Sequence, residues 1–206
     1  MYVPKINLAT DTDEIISFMK RFSFATIVTS KDNIPTATHL PFLISFADDN
    51  IVLTSHFAKA NEQWKDIENN SILVIFSEPR AYISPKNYDK ELNVPTWNYI
   101  AIHAYGQGKL ITENESTFKV LENTIDYYET SYRQQWERFP IEYNVKLANG
   151  IVAFEIIIKD LQAKKKLSQN RTETEKQKII DSLSKSKDTN EQLIAHYMKK
   201  DQAADK

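Results

Sequence analysis

The segment TSHFAKANEQW, Thr54 to Trp64, gathers hydroxyls, an imidazole and an ammonium within a few residues. A phosphomonoester is held by cationic and neutral donors that converge on its several oxygens. Ser55, His56 and Lys59 are donors of that kind. Asn61 is placed to cap a following helix, whose free N–H groups would add to them. The plain alternative is a surface turn with an ordinary cap. A second group is ATHLPF, Ala37 to Phe42. Proline lacks an N–H, so the backbone beside Pro41 cannot complete a strand ladder. The groups left over around His39, Leu40 and Pro41 are free to meet the edge of a planar heteroaromatic. His39 itself reads as a catalytic base, a phosphate donor or a satisfied core histidine.

A third group is VPTWNYIAIHAYG, Val94 to Gly106. Thr96, Trp97, Asn98 and Tyr99 set two aromatics and two polar groups at a strand entrance. The rings can stack on a flat ligand while the amide reads its polar edge. An aromatic core corner would use the same residues, and His103, deeper in the strand, reads as structural. The fourth group is KKKLSQNRTETEK, Lys164 to Lys176, with a basic cluster beside Ser168, Gln169 and Asn170. It suits phosphate, DNA or the edge of a flat cofactor, or else a solvated strand end.

Other chemistries are excluded by composition. The chain has 206 residues and only three glycines, Gly106, Gly108 and Gly150, so no Gly-rich phosphate loop exists. Absence of cysteine removes disulfides, thiolate zinc sites and Cys nucleophiles. HExxH is absent and the histidines lack metal-ligand spacing with any acidic pair. No GxSxG elbow occurs, although composition leaves a Ser-His-Asp triad open. Net charge is −2, so no global field draws nucleic acid. No run approaches the ~20 apolar residues of a membrane span, and the first residues do not form a secretory signal. Residence in the cytoplasm is the default expectation.

The elements that must position these groups are mostly strands. A helix is expected from about Asp13 to Arg21, with Thr10 and Asp13 at capping-box spacing. FATIVTS, TATHLPFLISF and IVLTSHF read as a three-stranded meander joined by turns at KDNIP and ADDN, with Pro41 at an edge or bulge. KANEQWKDIENN reads as a short helix, SILVIFS and RAYIS as strands, and PKNYDKELNVP as a loop long enough to be a functional excursion. WNYIAIHAYGQGKLIT is a long strand, bent near Gly106 and Gly108. ESTFKVLENTIDYYETSY is an amphipathic helix with Phe118, Leu121, Ile125 and Tyr128 on one face. IVAFEIIIKDLQAK closes the strands, and two helical patches follow from about Thr172. Antiparallel strands with inserted helices imply an α+β, mainly β, barrel-like fold.

ATHLP, HFAKANEQWKDIE, AYISPKNY, VPTWNYIAIHAYG and KLSQNR occur in this order from near the start to about Arg171. This set resembles the PaiB-like family of FMN-binding transcriptional regulators. The resemblance implies an FMN-binding split β-barrel, related to pyridoxamine-phosphate oxidases and flavin reductases, with peripheral helices. It implies a flavin-binding domain over 1–171 and a peripheral helical tail over 172–206. It also implies a homodimer with flavin sites at the subunit interface, and repression of sporulation and extracellular protease genes. Carried over by motif, the flavin contacts are His39, Leu40 and Pro41; Ser55, His56, Lys59 and Asn61; Thr96, Trp97, Asn98 and Tyr99; and Ser168, Gln169 and Asn170. Lys59 is a departure, since the resemblance leads to the expectation of Arg there; Lys keeps the charge but loses the bidentate fork. Three functions follow as alternatives: a flavin-binding regulator that meets DNA or a protein, an FMN-dependent oxidoreductase, and haem binding or breakdown through His39, His56 and His103. For the regulator, only Lys164–Arg171 offers a phosphate-contacting patch.

Overall fold

The computed structural model describes residues 1–48 and 50–204. Its first helix, α1 (Thr12–Arg21), is followed by strands β1 (Phe24–Lys31), β2 (Ile34–Pro41), β3 (Leu43–Ala47), β4 (Asn50–Ala58), β5 (Ser71–Phe76) and β6 (Arg80–Ile83). The long β7 (Thr96–Ile111) leads into helices α2 (Asn114–Glu129), α3 (Arg133–Trp136) and α4 (Ile141–Asn149). The equally long β8 (Ile151–Lys166) and helices α5 (Glu173–Ser184) and α6 (Thr189–Ala204) complete the chain. No helix among the described residues is long and apolar enough to cross a membrane. The residues form two compact units, a larger one of 16–76 and 103–161 and a smaller one of 1–15, 77–102 and 162–206. Strands β7 and β8 contribute to both.

In the larger unit the strand order is β2-β1-β5-β7-β8-β4-β3. The β1–β2 hairpin turns through Asp32 and Asn33, with φ of 51° and 64°, leaving Lys31 opposite Ile34. Two consecutive positive φ values make the tight turn whose twist matches antiparallel strands, and Asp and Asn tolerate them. The expected ADDN turn passes through Asp48, while Asp49 lies outside the described residues.

The expected meander is not formed as such. TATHLPFLISF breaks at Phe42 into β2, which pairs with β1, and β3, which pairs with β4. The two lie at opposite ends of the strand order. β2 ends at Pro41, opposite Phe24, and the Phe42 N–H still donates to the Ser23 carbonyl at 2.8 Å in the same register; from Leu43 on the chain leaves β1 and pairs with β4. Since one residue links the two end strands, and consecutive Cα atoms are ~3.8 Å apart, the sheet must curl until its ends meet. It remains unclosed, because β2 and β3 do not pair with each other.

The curl encloses four fully buried phenylalanines, Phe42, Phe57, Phe76 and Phe154. Phe57 stacks on Phe154 at 4.9 Å, and Phe42 meets Phe76 and Phe154 edge-on at 6.1 and 6.3 Å. Each such burial is worth about 1.5–3 kcal/mol. On α2 the expected apolar stripe is only half-buried; Thr117 and Val120 are the buried residues. Tyr128 instead reaches Ser23 with its hydroxyl at 2.6 Å, so its ring remains half-exposed.

In the smaller unit β6 pairs with the first part of β7, from Arg80 opposite Tyr99 to Ile83 opposite Thr96. Helix α5 begins in a capping box, with Thr172 and Glu175 exchanging backbone and side-chain bonds. Ile179, Ile180 and Leu183 of α5 are buried, as are Ile194, Ala195 and Met198 of α6. The loop after β6 is tied down: the Asp89 N–H donates to Glu175, and the Arg171 guanidinium donates to Asn93 at 2.8 Å. The α1 cap differs by one residue from the expected one. Asp11 Oδ1 accepts from the Glu14 N–H at 3.0 Å, so the first turn is capped by a carboxylate rather than by Thr10.

Glu14 sits between Lys165 at 2.8 Å and Lys200 at 3.1 Å. Burial alone would raise its pKa, but hydrogen bonds from the two lysines outweigh burial and hold it below its ordinary value. A carboxylate lowered by folding stabilises the fold above its unfolded pKa and ceases to do so as pH falls through the folded one. Glu14→Gln is therefore expected to cost stability at pH 7, and the deficit should shrink as pH falls from the ordinary carboxylate range through the lowered folded pKa. Urea titrations across that acid range check this, and a deficit that does not change with pH would contradict it.

Candidate functional site

The sequence-predicted residues fall into two groups, one in each unit. In the larger unit, β2 brings His39, Leu40 and Pro41 beside the end of β4. The buried Ser55 hydroxyl donates to the Pro41 carbonyl at 2.6 Å. Below it, Asn61 Nδ2 donates to Thr38 Oγ1 at 3.0 Å, and Thr38 donates in turn to Gln63 Oε1 at 2.6 Å. Gln63 is buried and reaches across to Thr29 Oγ1 and the Thr36 carbonyl. A frame of amides and hydroxyls thus fixes the β4 exit against β2. The His39 ring lies exposed, stacked on Phe24 at 6.3 Å.

The helix expected after Lys59 is a five-residue 3-10 turn, Glu62–Asp66. Asn61 caps it as anticipated, but by accepting from the Gln63 N–H at 3.1 Å it occupies a donor that a ligand would have used. A turn this short also lacks the aligned peptides of an α-helix. Recognition at this point therefore depends on side chains. His56 is half-buried, and burial pushes its imidazole below its ordinary pKa, so it is a neutral donor at pH 7. Lys59 is exposed, and among the described residues its ammonium has no hydrogen-bond or ion-pair partner. It supplies the full positive charge of this group.

In the smaller unit, Asn98 is fully buried, and its side chain exchanges hydrogen bonds with Ser168 at 3.0 and 3.1 Å. Asn98 also reaches the Met198 sulfur at 3.6 Å. Ser168 holds φ at 63°, a conformation that costs a non-glycine residue energy. Gln169 accepts from the Leu167 N–H and donates to the Lys165 carbonyl, closing the turn. Thr96 accepts from Lys166, and Trp97 is 52% exposed, edge-on to Tyr82 at 5.9 Å. Thr96, Asn98, Ser168, Gln169 and Asn170 line one cleft of about 300 Å³. Tyr99 lies under the Lys164 ammonium, 5.2 Å from its ring centre. His103, half-buried and belonging to the larger unit, leaves Nδ1 without a hydrogen-bond partner among the described residues.

Sequence reasoning missed a second cleft, of about 640 Å³, in the larger unit. Ile44, Thr54, Lys109, Lys119, Val120 and Glu155 are among its walls, and none of the expected flavin-contact residues is. Its lining comes from β3, β4, β7, β8 and α2, so no local pattern announces it.

A family model described as "Putative FMN-binding domain" matches residues 1–160. The chain is 38% identical over 202 residues to the Bacillus subtilis (strain 168) protein named "Protease synthase and sporulation protein PAI 2", covering 96% of each. It is 30% identical over 183 residues to an uncharacterized Emericella nidulans protein, covering 70% of this chain and 73% of that one. Among solved structures, a flavocytochrome from Azotobacter vinelandii superposes with a TM-score of 0.61 at 16% identity, covering 80% of this chain and 72% of that one. A FAD and haem binding protein from Mycobacterium smegmatis gives 0.60 at 12% identity, covering 78% and 73%. These two likenesses are of fold, and they bear out the mainly antiparallel α+β class. The resemblance carried by the motifs is borne out as well, and the chain belongs to the family of FMN-binding domains.

Proposed function

We propose that this is a cytoplasmic flavin-binding regulator of the PaiB-like type, a homodimer with its flavin sites at the subunit interface. The observation that carries the cofactor reading is the unpartnered Lys59 ammonium and the neutral His56 at the β4 exit, which the Asn61–Thr38–Gln63 bonds tie to β2. One cation with neutral donors around it suits the terminal phosphate of FMN. Ser55 and Asn61 position this group, while His39, Leu40 and Pro41 offer backbone and ring to a planar edge. Thr96, Trp97, Asn98 and Tyr99, with Ser168, Gln169 and Asn170, are the second proposed set of flavin contacts. FMN, when bound, supplies one- and two-electron redox chemistry, and the protein binds and orients it.

Lys59→Ala is expected to weaken FMN binding by about 1–3 kcal/mol, the scale of a lost charge-assisted hydrogen bond. Lys59→Arg should keep or improve it. The measurement is flavin absorbance retained after desalting, followed by fluorescence titration. An unchanged dissociation constant in Lys59→Ala would place the phosphate elsewhere.

One observation favours an FMN-dependent oxidoreductase as the second reading. The basic cluster offered for DNA is engaged within the protein: Lys165 pairs with Glu14 and Asp201, and Lys164 is buried. DNA contact at this cluster is left with Lys166 and Arg171, both set in the lining of a cleft rather than on an open basic face. Anaerobic mixing with NADH and NADPH separates the readings, because bleaching of bound flavin supports the enzyme. No bleaching, together with a salt-dependent shift of promoter DNA, supports direct regulation.

A further inference from the structure

Lysines 164, 165 and 166 alternate sides at the end of β8, as strand side chains do. Their fates differ. Lys165 is neutralised by Glu14 at 2.8 Å and Asp201 at 2.9 Å. Lys164, only 8% exposed, is held by neutral groups: it donates to the Tyr2 carbonyl at 3.2 Å and lies over the Tyr2 and Tyr99 rings at 5.8 and 5.2 Å. Lys166 donates to the Thr96 hydroxyl and to the Trp97 carbonyl at 2.9 Å. Among the described residues neither forms an ion pair with a carboxylate. Half-buried or buried cations without a counter-charge are costly, and proteins keep them paired or at binding sites.

Arg171 adds a third cation in the same unit. Its guanidinium lies 3.6 Å from the Tyr88 ring centre and donates to Asn93 at 2.8 Å. Glu175 is within electrostatic reach, but its oxygens accept from the backbone N–H groups of Asp89 and Thr172. Lys166 and Arg171 line the same 300 Å³ cleft, together with Asn7, Thr96, Asn98 and Ser168. Its walls thus carry two cations, neutral polar groups and the apolar Ile6 and Val94 with Pro4 and Pro95, and no carboxylate. Burial, the largest cause, pushes the Lys166 ammonium below its ordinary pKa; Tyr99 works against this and Lys164 adds to it. A bound anion would relieve that.

We propose that this cleft binds a compact oxyanion, a carboxylate or phosphate group, between Lys166 and Arg171. The site stands on its own charge, and it deepens the flavin reading by naming a ligand chemistry for residues that reading already uses. The oxyanion belongs either to a free metabolite or to the phosphate of the flavin.

The test is calorimetric titration of the full chain with inorganic phosphate and with acetate, at constant ionic strength set by chloride. The expected result is saturation at one anion per chain, weakened at least tenfold in Lys166→Gln and in Arg171→Gln. Arg171→Lys should retain more affinity than Arg171→Gln, and Lys65→Gln should change nothing. Thermal melts confirm that each variant is folded. FMN and riboflavin titrations then identify the source. If Lys166→Gln leaves FMN affinity unchanged while phosphate binding falls, the anion is a separate ligand. If it lowers FMN affinity to that of riboflavin, the anion is the flavin's own phosphate. In that case the Lys59 assignment fails while the oxyanion site stands. Absence of flavin bands in desalted wild type would defeat the flavin reading without touching phosphate saturation. Wild-type anion and FMN affinities in both glutamine variants, or no saturation together with unchanged FMN affinity, would overturn the proposal.

Discussion

Phe42→Ala is expected to destabilise the larger unit by about 3–5 kcal/mol, the range for emptying a fully buried phenylalanine. Phe42 is the only residue between β2 and β3, the two ends of the strand order. Its side chain is fully buried against Phe76 and Phe154, and its N–H is bonded to the Ser23 carbonyl. Truncation leaves a cavity at the point where the curled sheet brings its ends together. It also loosens the end of β2, where His39, Leu40 and Pro41 stand, so retention of FMN should fall with stability. Phe42→Leu, which keeps more of the volume, should lie between alanine and wild type in both measurements. Urea unfolding followed by circular dichroism gives the first number, and flavin absorbance after desalting gives the second. A near-neutral Phe42→Ala would mean that the sheet is held in its curl by other contacts.

Gly106→Ala is expected to cost about 1–3 kcal/mol or more, the range for overpacking a filled interior. A Cβ there would stand 2.4 Å from the Ile157 carbonyl oxygen and 2.7 Å from Ile156 Cγ2. The first of these is backbone of the neighbouring strand β8, so relief requires moving a strand. At Gly108 the Cβ would meet Ile67 Cγ2 at 2.4 Å and Ile72 Cδ1 at 2.7 Å, with the Ile67 carbonyl at 2.8 Å. Ile67 and Ile72 are fully buried and β-branched, and the Ile67 carbonyl is backbone, so Gly108→Ala should cost about as much as Gly106→Ala. At Gly150 the nearest atom is the Leu147 carbonyl at 3.2 Å, and Gly150→Ala should lie within about 0.5 kcal/mol of wild type. Thermal or urea unfolding of the three variants checks the order. Equal effects at the three positions would show that backbone approach is not what selects glycine in β7.

Much of the fold was legible because its signals are local. Alternating apolar residues marked β1, β4 and β5, since side chains in a strand point to opposite faces in turn. Turn residues marked the hairpins, and Asn61 marked its cap. The scarcity of glycine and the absence of cysteine settled which chemistries were not available. The motif residues, taken in order, were enough to identify the family. What the residues could not show is which partner each group meets across a long stretch of chain. The split of one apparent strand into β2 and β3 depends on pairing with two different neighbours on either side of Phe42. Asn98 is committed to Ser168, 70 residues away, and to Met198, 100 residues away. Three adjacent lysines look alike in sequence, yet tertiary contacts neutralise Lys165, bury Lys164 among aromatic rings and leave Lys166 facing a cleft. The physical reason is range. Propensity, periodicity and capping act over one or two turns of chain, whereas charge pairing, burial and cleft formation are set by whichever residues the folded sheet brings together.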